Sequence, residues 1–323
     1  MKIAITWDYE LFFGEQTGSV YNCMLAPTDR LLRLAAQYNI PFTFFPDVGC
    51  LLKFEQIAYF NQELLKIKDQ ITRWDQAGHE TGLHIHPHWE NSLWNGKDWQ
   101  HDLTFYKLAD FTTQEAQKIV KSYATYISSL LQQQVKSYRA GGWCVQPFEP
   151  IAQVMQNHGI QIDSSVFKGG KNYNSPYQYD FTKAPNLPYW NFSNDVLSID
   201  PHGFFTEIPI SSINYSPLFF WKLFILGRLF PKLHKPIGNG FPARGGGSKK
   251  ELLTRSHHLC VSSDGYFASK LDAALKKSKQ LDMPFLLIIG HPKALTEFGI
   301  KTLEQFIRKH RNNHEFVTIS SLV

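Results

Sequence analysis

The sequence has few cysteines and none close to another. Cys23, Cys50, Cys144 and Cys260 are scattered without a CxxC spacing, which excludes a structural zinc knuckle and a redox dithiol and predicts buried free thiols. No stretch reaches the roughly twenty apolar residues that a membrane-spanning helix needs. An apolar leader is also missing: the run from Ile3 to Trp7 breaks at Asp8, too early for a secretory segment, so a cytoplasmic protein is expected. Excess charge is small, with 33 Lys+Arg against 28 Asp+Glu for a net +5. That falls short of the clustered basicity of a dedicated nucleic-acid binder, and no nucleic acid is expected as a partner.

What is present is core-forming material. Of 323 residues, 43% are hydrophobic and 15% aromatic, which argues against disorder, collagen or a coiled coil. Ile3 to Trp7 reads as a strand, Asp29 to Tyr38 as a helix with Leu31, Leu32, Leu34 and Ala35 at helical spacing, and Pro41 to Pro46 as a buried strand. A helical stretch follows over roughly Phe54 to Trp74, then a short run from Glu80 to His84. Thr112 and Glu115 form a capping box for a helix whose stripe carries Ile119, Val120, Tyr123 and Ile127. Near the end, Phe285 to Ile289 has the continuous apolarity of a strand covered on both faces. Strands alternating with helices at intervals too long for hairpins predict a parallel sheet, and the number of units favours a single α/β barrel over residues 1–323.

The stretch from about 167 to 250 breaks this alternation. Rich in Pro, Gly, Asn, Tyr and Trp, it reads as an irregular insertion. Within it, Pro217 to Phe230 is the most hydrophobic run of the chain, too short to span a bilayer. One reading is a helix or lid packed on the barrel. The other is an interfacial helix in the segment 217–235, with Lys222, Arg228, Lys232 and Lys235 reaching anionic head groups at the inner face of the membrane.

Two short segments carry the chemistry. Asp8-Tyr9-Glu10 stands at the C-terminal tip of the first strand, and His79-Glu80-Thr81-Gly82-Leu83-His84-Ile85-His86-Pro87-His88 surrounds a later one. Barrel enzymes build their sites at the C-terminal ends of strands, so both segments point into one bowl. Two imidazoles and a carboxylate with an open position form the ligand set of a catalytic zinc or a non-haem iron. A lone Asp or His there would be an ordinary capping or core residue. Three histidines at alternate positions would instead carry a desolvation cost that a metal removes by accepting their lone pairs. The residue pattern leaves open which two of them ligate.

With these residues in place the sequence resembles the polysaccharide deacetylase family, the NodB-homology or carbohydrate esterase family four fold. Thr6-Trp7-Asp8-Tyr9-Glu10 is similar to its first motif and His84-Ile85-His86-Pro87-His88 to its second, H-x-x-x-H. Tyr138-Arg139-Ala140-Gly141-Gly142-Trp143 is similar to its third, with Gly141 where a proline is usual. Leu287-Ile288-Ile289-Gly290-His291-Pro292 is similar to its fifth. The resemblance implies an irregular seven- or eight-unit (β/α) barrel and a divalent metal, zinc first among the transition metals. It makes Glu10, His84 and His88 the ligands, Asp8 the general base, Arg139 its support and His291 the general acid. Asp163, at a strand end, is a candidate for the unplaced fourth motif. The implied branch is a WbmS-like enzyme of surface-polysaccharide biosynthesis.

The expected function is removal of an N-acetyl group from an amino sugar in a polysaccharide or a lipid- or nucleotide-linked precursor. Hydrolysis of another non-peptide C–N bond, or a non-catalytic glycan-binding role, are the alternatives on this fold. An iron oxygenase would share the ligand set but usually sits on a β-fold. Trp89, with Trp94 and Trp99 beyond it, and Trp143 are candidate sugar-stacking rings. Arg244, beside Gly245-Gly246-Gly247, is a candidate for a phosphate-bearing substrate, while Ser248 and Glu251 read as a capping box. Oligomeric state is not legible.

Overall fold

The computed structural model describes residues 1–14, 16–242 and 248–323. The strands of the first half are β1 (Lys2–Tyr9), β2 (Thr43–Pro46), β3 (Glu80–Thr81), β4 (Leu83–Ile85), the small hairpin β5 (Leu93–Trp94) and β6 (Trp99–Gln100), β7 (Ser137–Ala140) and β8 (Ile162–Asp163). Those of the second half are β9 (Lys171–Asn172), β10 (Tyr179–Asp180), β11 (Trp190–Phe192), β12 (Phe205–Glu207), β13 (Ser212–Tyr215), β14 (His257–Cys260), β15 (Phe285–Gly290) and β16 (Glu315–Val317). Helices α1 (Ala26–Tyr38), α2 (Val48–Glu55), α3 (Asn61–Gln76), α4 (Thr113–Ser129) and α5 (Glu149–Asn157) lie among the early staves. α6 (Pro217–Leu229), α7 (Pro231–His234), α8 (Lys249–Thr254), α9 (Leu271–Gln280) and α10 (Glu297–His310) follow.

β1 is the axis of the arrangement and pairs in parallel with β15 on one side and β2 on the other. Strand alternation divides its residues between two cores. Ile3, Ile5, Trp7 and Tyr9 pack outward with Leu31 and Leu34 of α1, Ile67, Ile71 and Trp74 of α3 and Leu303 of α10. Ala4 packs inward with Phe45, Leu83, Ile85, Leu287 and Ile289. Asp8 shares the inward face with Ala4 and Thr6, so the strand's periodicity aims its carboxylate into the barrel.

The ring continues from β2 to β3 and then breaks its line at Gly82. β3 pairs with β2, and β4, one residue on, pairs with β7. A Cβ at Gly82 would sit 2.3 Å from the Phe45 ring, so only glycine lets the strand pass between the two neighbours. From β7 the ring passes through β8 to β12 in parallel. It closes because Ser211 donates to Leu287, Val261 to Ser211, and Ile289 to Val261. The result is the irregular (β/α) barrel expected of the sequence, with the C-terminal strand ends at one mouth.

Three expectations are revised. Phe205–Glu207, inside the stretch read as an insertion, is a stave of the ring: three residues are too few to show a period, and flanking loop composition hides them. The helix expected over Phe54 to Trp74 is split into α2 and α3 by a 3₁₀ turn at Ala58–Phe60. Ser248 does precede α8, but its side chain makes no capping bond, unlike Thr112, whose reciprocal bonds with Glu115 open α4. All four cysteines are buried and free.

His79, behind the barrel, gives a pH test of this packing. Its Nδ1 accepts the Phe42 backbone N–H at 2.9 Å, and burial lowers the ring's pKa to about 4. The folded state therefore holds a neutral ring that the unfolded chain protonates near pH 6.5. Stability from this group is complete above about pH 6.5 and is lost as pH falls toward 4, by about 3 kcal/mol at most. Denaturant unfolding across that range is expected to show a smaller acid loss in His79→Gln, whose amide oxygen accepts the same bond. An identical pH dependence would contradict the neutral ring.

Candidate metal centre and active site

Two strand ends deliver the metal-ligand cluster. Glu10 follows β1, His84 lies in β4 and His86 follows it two residues later, on the same face. Glu10, His84 and His86 each place one ligand atom within 4.8 Å of the others, and all are buried. His84 Nδ1 donates to the Arg139 carbonyl at 2.8 Å, which fixes the tautomer and turns the Nε2 lone pair toward Glu10 Oε2, 3.2 Å away. His86 Nε2 lies 2.6 Å from the same oxygen. Burial above all holds His86 down at about 4, so its ring is neutral and its lone pair free to ligate.

His88 is not part of this cluster. It sits in the 3₁₀ turn Pro87–Asn91, beyond the end of β4, where the alternation that aligns His84 with His86 has stopped. Its ring stacks on Tyr106 at 5.5 Å and edges onto Phe13 at 4.7 Å, and burial keeps it neutral. The group gathered with Glu10 is therefore His84 and His86, whereas the expected partner His88 lies outside it. Gly141 explains why. A Cβ at that position would lie 2.4 Å from His86 Nδ1, so the missing side chain is the space the imidazole occupies.

Around the cluster lie two charged pairs. Arg139, fully buried, donates to Asp8 Oδ1 at 2.7 Å and to Thr6 Oγ1, and its Nε donates to the Ser164 carbonyl. Its guanidinium also covers the Phe45 ring at 4.3 Å. His291 follows β15. Its Nδ1 meets Asp264 Oδ2 at 2.7 Å and its Nε2 faces Asp8 Oδ2 at 3.6 Å. Burial disfavours a charged His291, but Asp264, Asp8 and Glu10 outweigh it and raise the ring to about 9. Asp264 was not singled out from the sequence; a lone Asp in Ser262-Ser263-Asp264-Gly265 reads as a turn.

Lys293 was also missed, because two residues past the histidine it carries no motif. Its ammonium donates to Glu10 Oε1 at 2.8 Å and to the Leu11 carbonyl, over the Phe12 and Phe13 rings. Burial alone would raise the Glu10 carboxyl, yet Lys293 and the two imidazoles hold it well below the usual carboxylate range.

These groups open on a cavity of about 360 Å³ lined also by Tyr106, Gly142, Trp143, Tyr177 and Tyr179. That is within the range of small-molecule pockets. Trp143, a candidate sugar-stacking ring, lines this cavity. Trp89 is not: it is fully buried and its Nε1 donates to Asp47 Oδ2. Trp99 is likewise buried, stacked on Phe60. Asp163 lies behind the wall, accepting from the Ser165 hydroxyl, and serves the scaffold. Burial together with Asp163 raises its neighbour Glu207 well above the carboxylate range. Arg244 lies outside the described residues.

In comparisons with known proteins, no family model and no curated protein matches the sequence. Solved structures do. One assigned as a polysaccharide deacetylase from Mycobacterium smegmatis aligns at TM-score 0.56 and 14% identity, over 99% of this chain and 88% of that one. The fold is that of a NodB-type deacetylase barrel. A 4-alpha-glucanotransferase from Thermococcus litoralis aligns at TM-score 0.52 and 13% identity, over 99% of this chain and 38% of that one. The barrel alone therefore does not fix the chemistry, and the side chains must.

They fit a divalent transition metal. His86 Nδ1 is buried without a hydrogen-bond partner and Nε2 is pressed to 2.6 Å from Glu10 Oε2 without good hydrogen-bond geometry, a contact that a cation held by Glu10, His84 and His86 would relieve. Zinc uptake measured by equilibrium dialysis checks the set. His86→Ala and Gly141→Ala are each expected to weaken binding by more than about tenfold, whereas His88→Phe retains wild-type affinity. The opposite ranking would return His88 to the ligand set.

Proposed function

We propose that this chain is a metal-dependent hydrolase that removes an N-acetyl group from an amino sugar of a glycan or glycan precursor. The observation that carries the reading is the meeting of a His-His-Glu cluster, an Arg-held aspartate and an Asp-held histidine at one cavity mouth. An acetamide is a poor electrophile, and its hydrolysis needs an activated water, a stabilised oxyanion and a protonated leaving amine. Sugar transfer, by contrast, uses a carboxylate pair across the glycosidic bond. Here Asp8 is tied to Arg139 and Glu10 to Lys293 and two imidazoles.

A metal bound by Glu10, His84 and His86, zinc by its ligand types, supplies Lewis acidity to the acyl carbonyl and the attacking water. Arg139 engages Asp8 Oδ1 and leaves Oδ2 to take the proton of that water as the new C–O bond forms. His291 Nε2, across from Asp8, gives its proton to the nitrogen as the C–N bond breaks, so acetate and an amine leave. Asp264, on Nδ1, keeps the ring oriented and charged for that step. Trp143, Tyr177 and Tyr179 offer flat apolar faces to a sugar ring.

Acetate release from acetamido sugars, free, nucleotide-linked and lipid-linked, tests the reading with the zinc-loaded chain. Asp8→Asn and His291→Ala are each expected to slow turnover by about 10² to 10⁴ while zinc content stays at the wild-type level. Asp264→Asn removes an anion beside His291, so the alkaline limb of kcat/KM is expected to move to lower pH. Full metal loading with no acetate from any member of the set would overturn the proposal.

A further inference from the structure

The helix α6 is apolar on two sides, and the described residues bury only one, the other being touched at Trp221 Nε1, which donates to the Leu253 carbonyl. Phe219 and Phe220 are buried against Tyr215, Tyr266, Phe267 and His257. On the other side Leu218, Trp221, Ile225 and Leu229 recur at three- and four-residue steps, which places them in one stripe along the helix. They are 62%, 49%, 46% and 65% exposed, and Phe230 and Leu233 of the following turn extend the patch at 51% and 40%. Scattered apolar residues at a surface need no explanation; a continuous stripe with aromatic members does.

The charge around the stripe is of one sign. From Ile208 to Lys250 the sequence contains no Asp or Glu, while Lys222, Arg228, Lys232 and Lys235 lie on or just after the helix. All four are exposed, and among the described residues none is in an ion pair. At thirteen residues α6 is too short to cross a bilayer, and no helix of the described residues is long and apolar enough to do so. A second copy of the chain is a poor occupant, because a two-fold contact would set these cations against their own equivalents with no acid between them.

We infer that the exposed face of α6 and α7 docks on an anionic lipid surface, its apolar stripe in the acyl boundary and its cations at the phosphates. Placement supports this use. The chain leaving α7 at His234 is pinned to the cavity rim by Ile237 donating to Leu295 and Gly238 to Lys293, and reaches the cavity wall at Pro242. Eight residues of chain bound the separation from His234 to at most about 28 Å, so the docked face and the cavity wall are joined by one short, pinned segment. The inference stands apart from the hydrolytic reading.

Vesicle co-sedimentation of the full chain tests it. Binding to mixed phosphatidylcholine and phosphatidylglycerol vesicles is expected to exceed binding to pure phosphatidylcholine by at least about tenfold and to fall with added salt. Ile225→Glu with Leu229→Glu is expected to abolish it, and Lys232→Glu with Lys235→Glu to weaken it, with circular dichroism and thermal melting unchanged in both. Absence of wild-type binding, or binding that survives both pairs, would overturn the inference. So would sedimentation velocity showing a lipid-free dimer that the Ile225→Glu, Leu229→Glu pair dissolves, which would make the stripe a contact between copies.

Discussion

Two carboxylates two residues apart, Asp8 and Glu10, are buried together at the end of one strand, and the rest of the site follows from the need to balance them. A buried unpaired carboxylate is far costlier than a paired one. Asp8 receives the guanidinium of Arg139, and Glu10 receives Lys293 and two imidazoles. The counter-groups come from three other strand ends, those of β4, β7 and β15. The charge requirement therefore couples β1, β4, β7 and β15 across the barrel, and a carboxylate removed from β1 would leave cations stranded on the staves facing it.

The parallel arrangement makes that coupling possible. All four staves end at the same mouth, so side chains distant in sequence arrive within a few ångströms without long loops. Outside this ring of charges the wall is aromatic: Tyr106, Tyr177, Tyr179, Trp143 and Phe13. A polar floor under apolar sides suits a ligand that presents a reactive polar group first and a ring behind it.

Much of this could be read from residue pattern. The buried strands at Ile3 to Trp7 and Phe285 to Ile289 announced themselves by continuous apolarity, and Asp8, Glu10, Arg139 and His291 lie together as their motifs implied. What stayed hidden depended on geometry that spacing does not encode. Alternation alone treats His84, His86 and His88 alike; it is the turn starting at Pro87 that takes His88 off the shared face, and nothing in the one-dimensional pattern says where the strand ends. Asp264 and Lys293 act through contacts with residues far along the chain and carry no local signature. The stave at Phe205–Glu207 is shorter than any period that could reveal it. Trp89 looks like a surface ring in a polar stretch until Asp47, from another element, is seen to claim its indole N–H.

The empty side of Gly141 has a consequence for how this barrel can vary. The volume beyond its Cα can hold a side chain of its own or the imidazole of residue 86, and not both. With this backbone path, bulk at 141 would push the imidazole of residue 86 out of its place. A single small residue on β7's exit loop thus decides where the neighbouring stave β4 can set down its last imidazole.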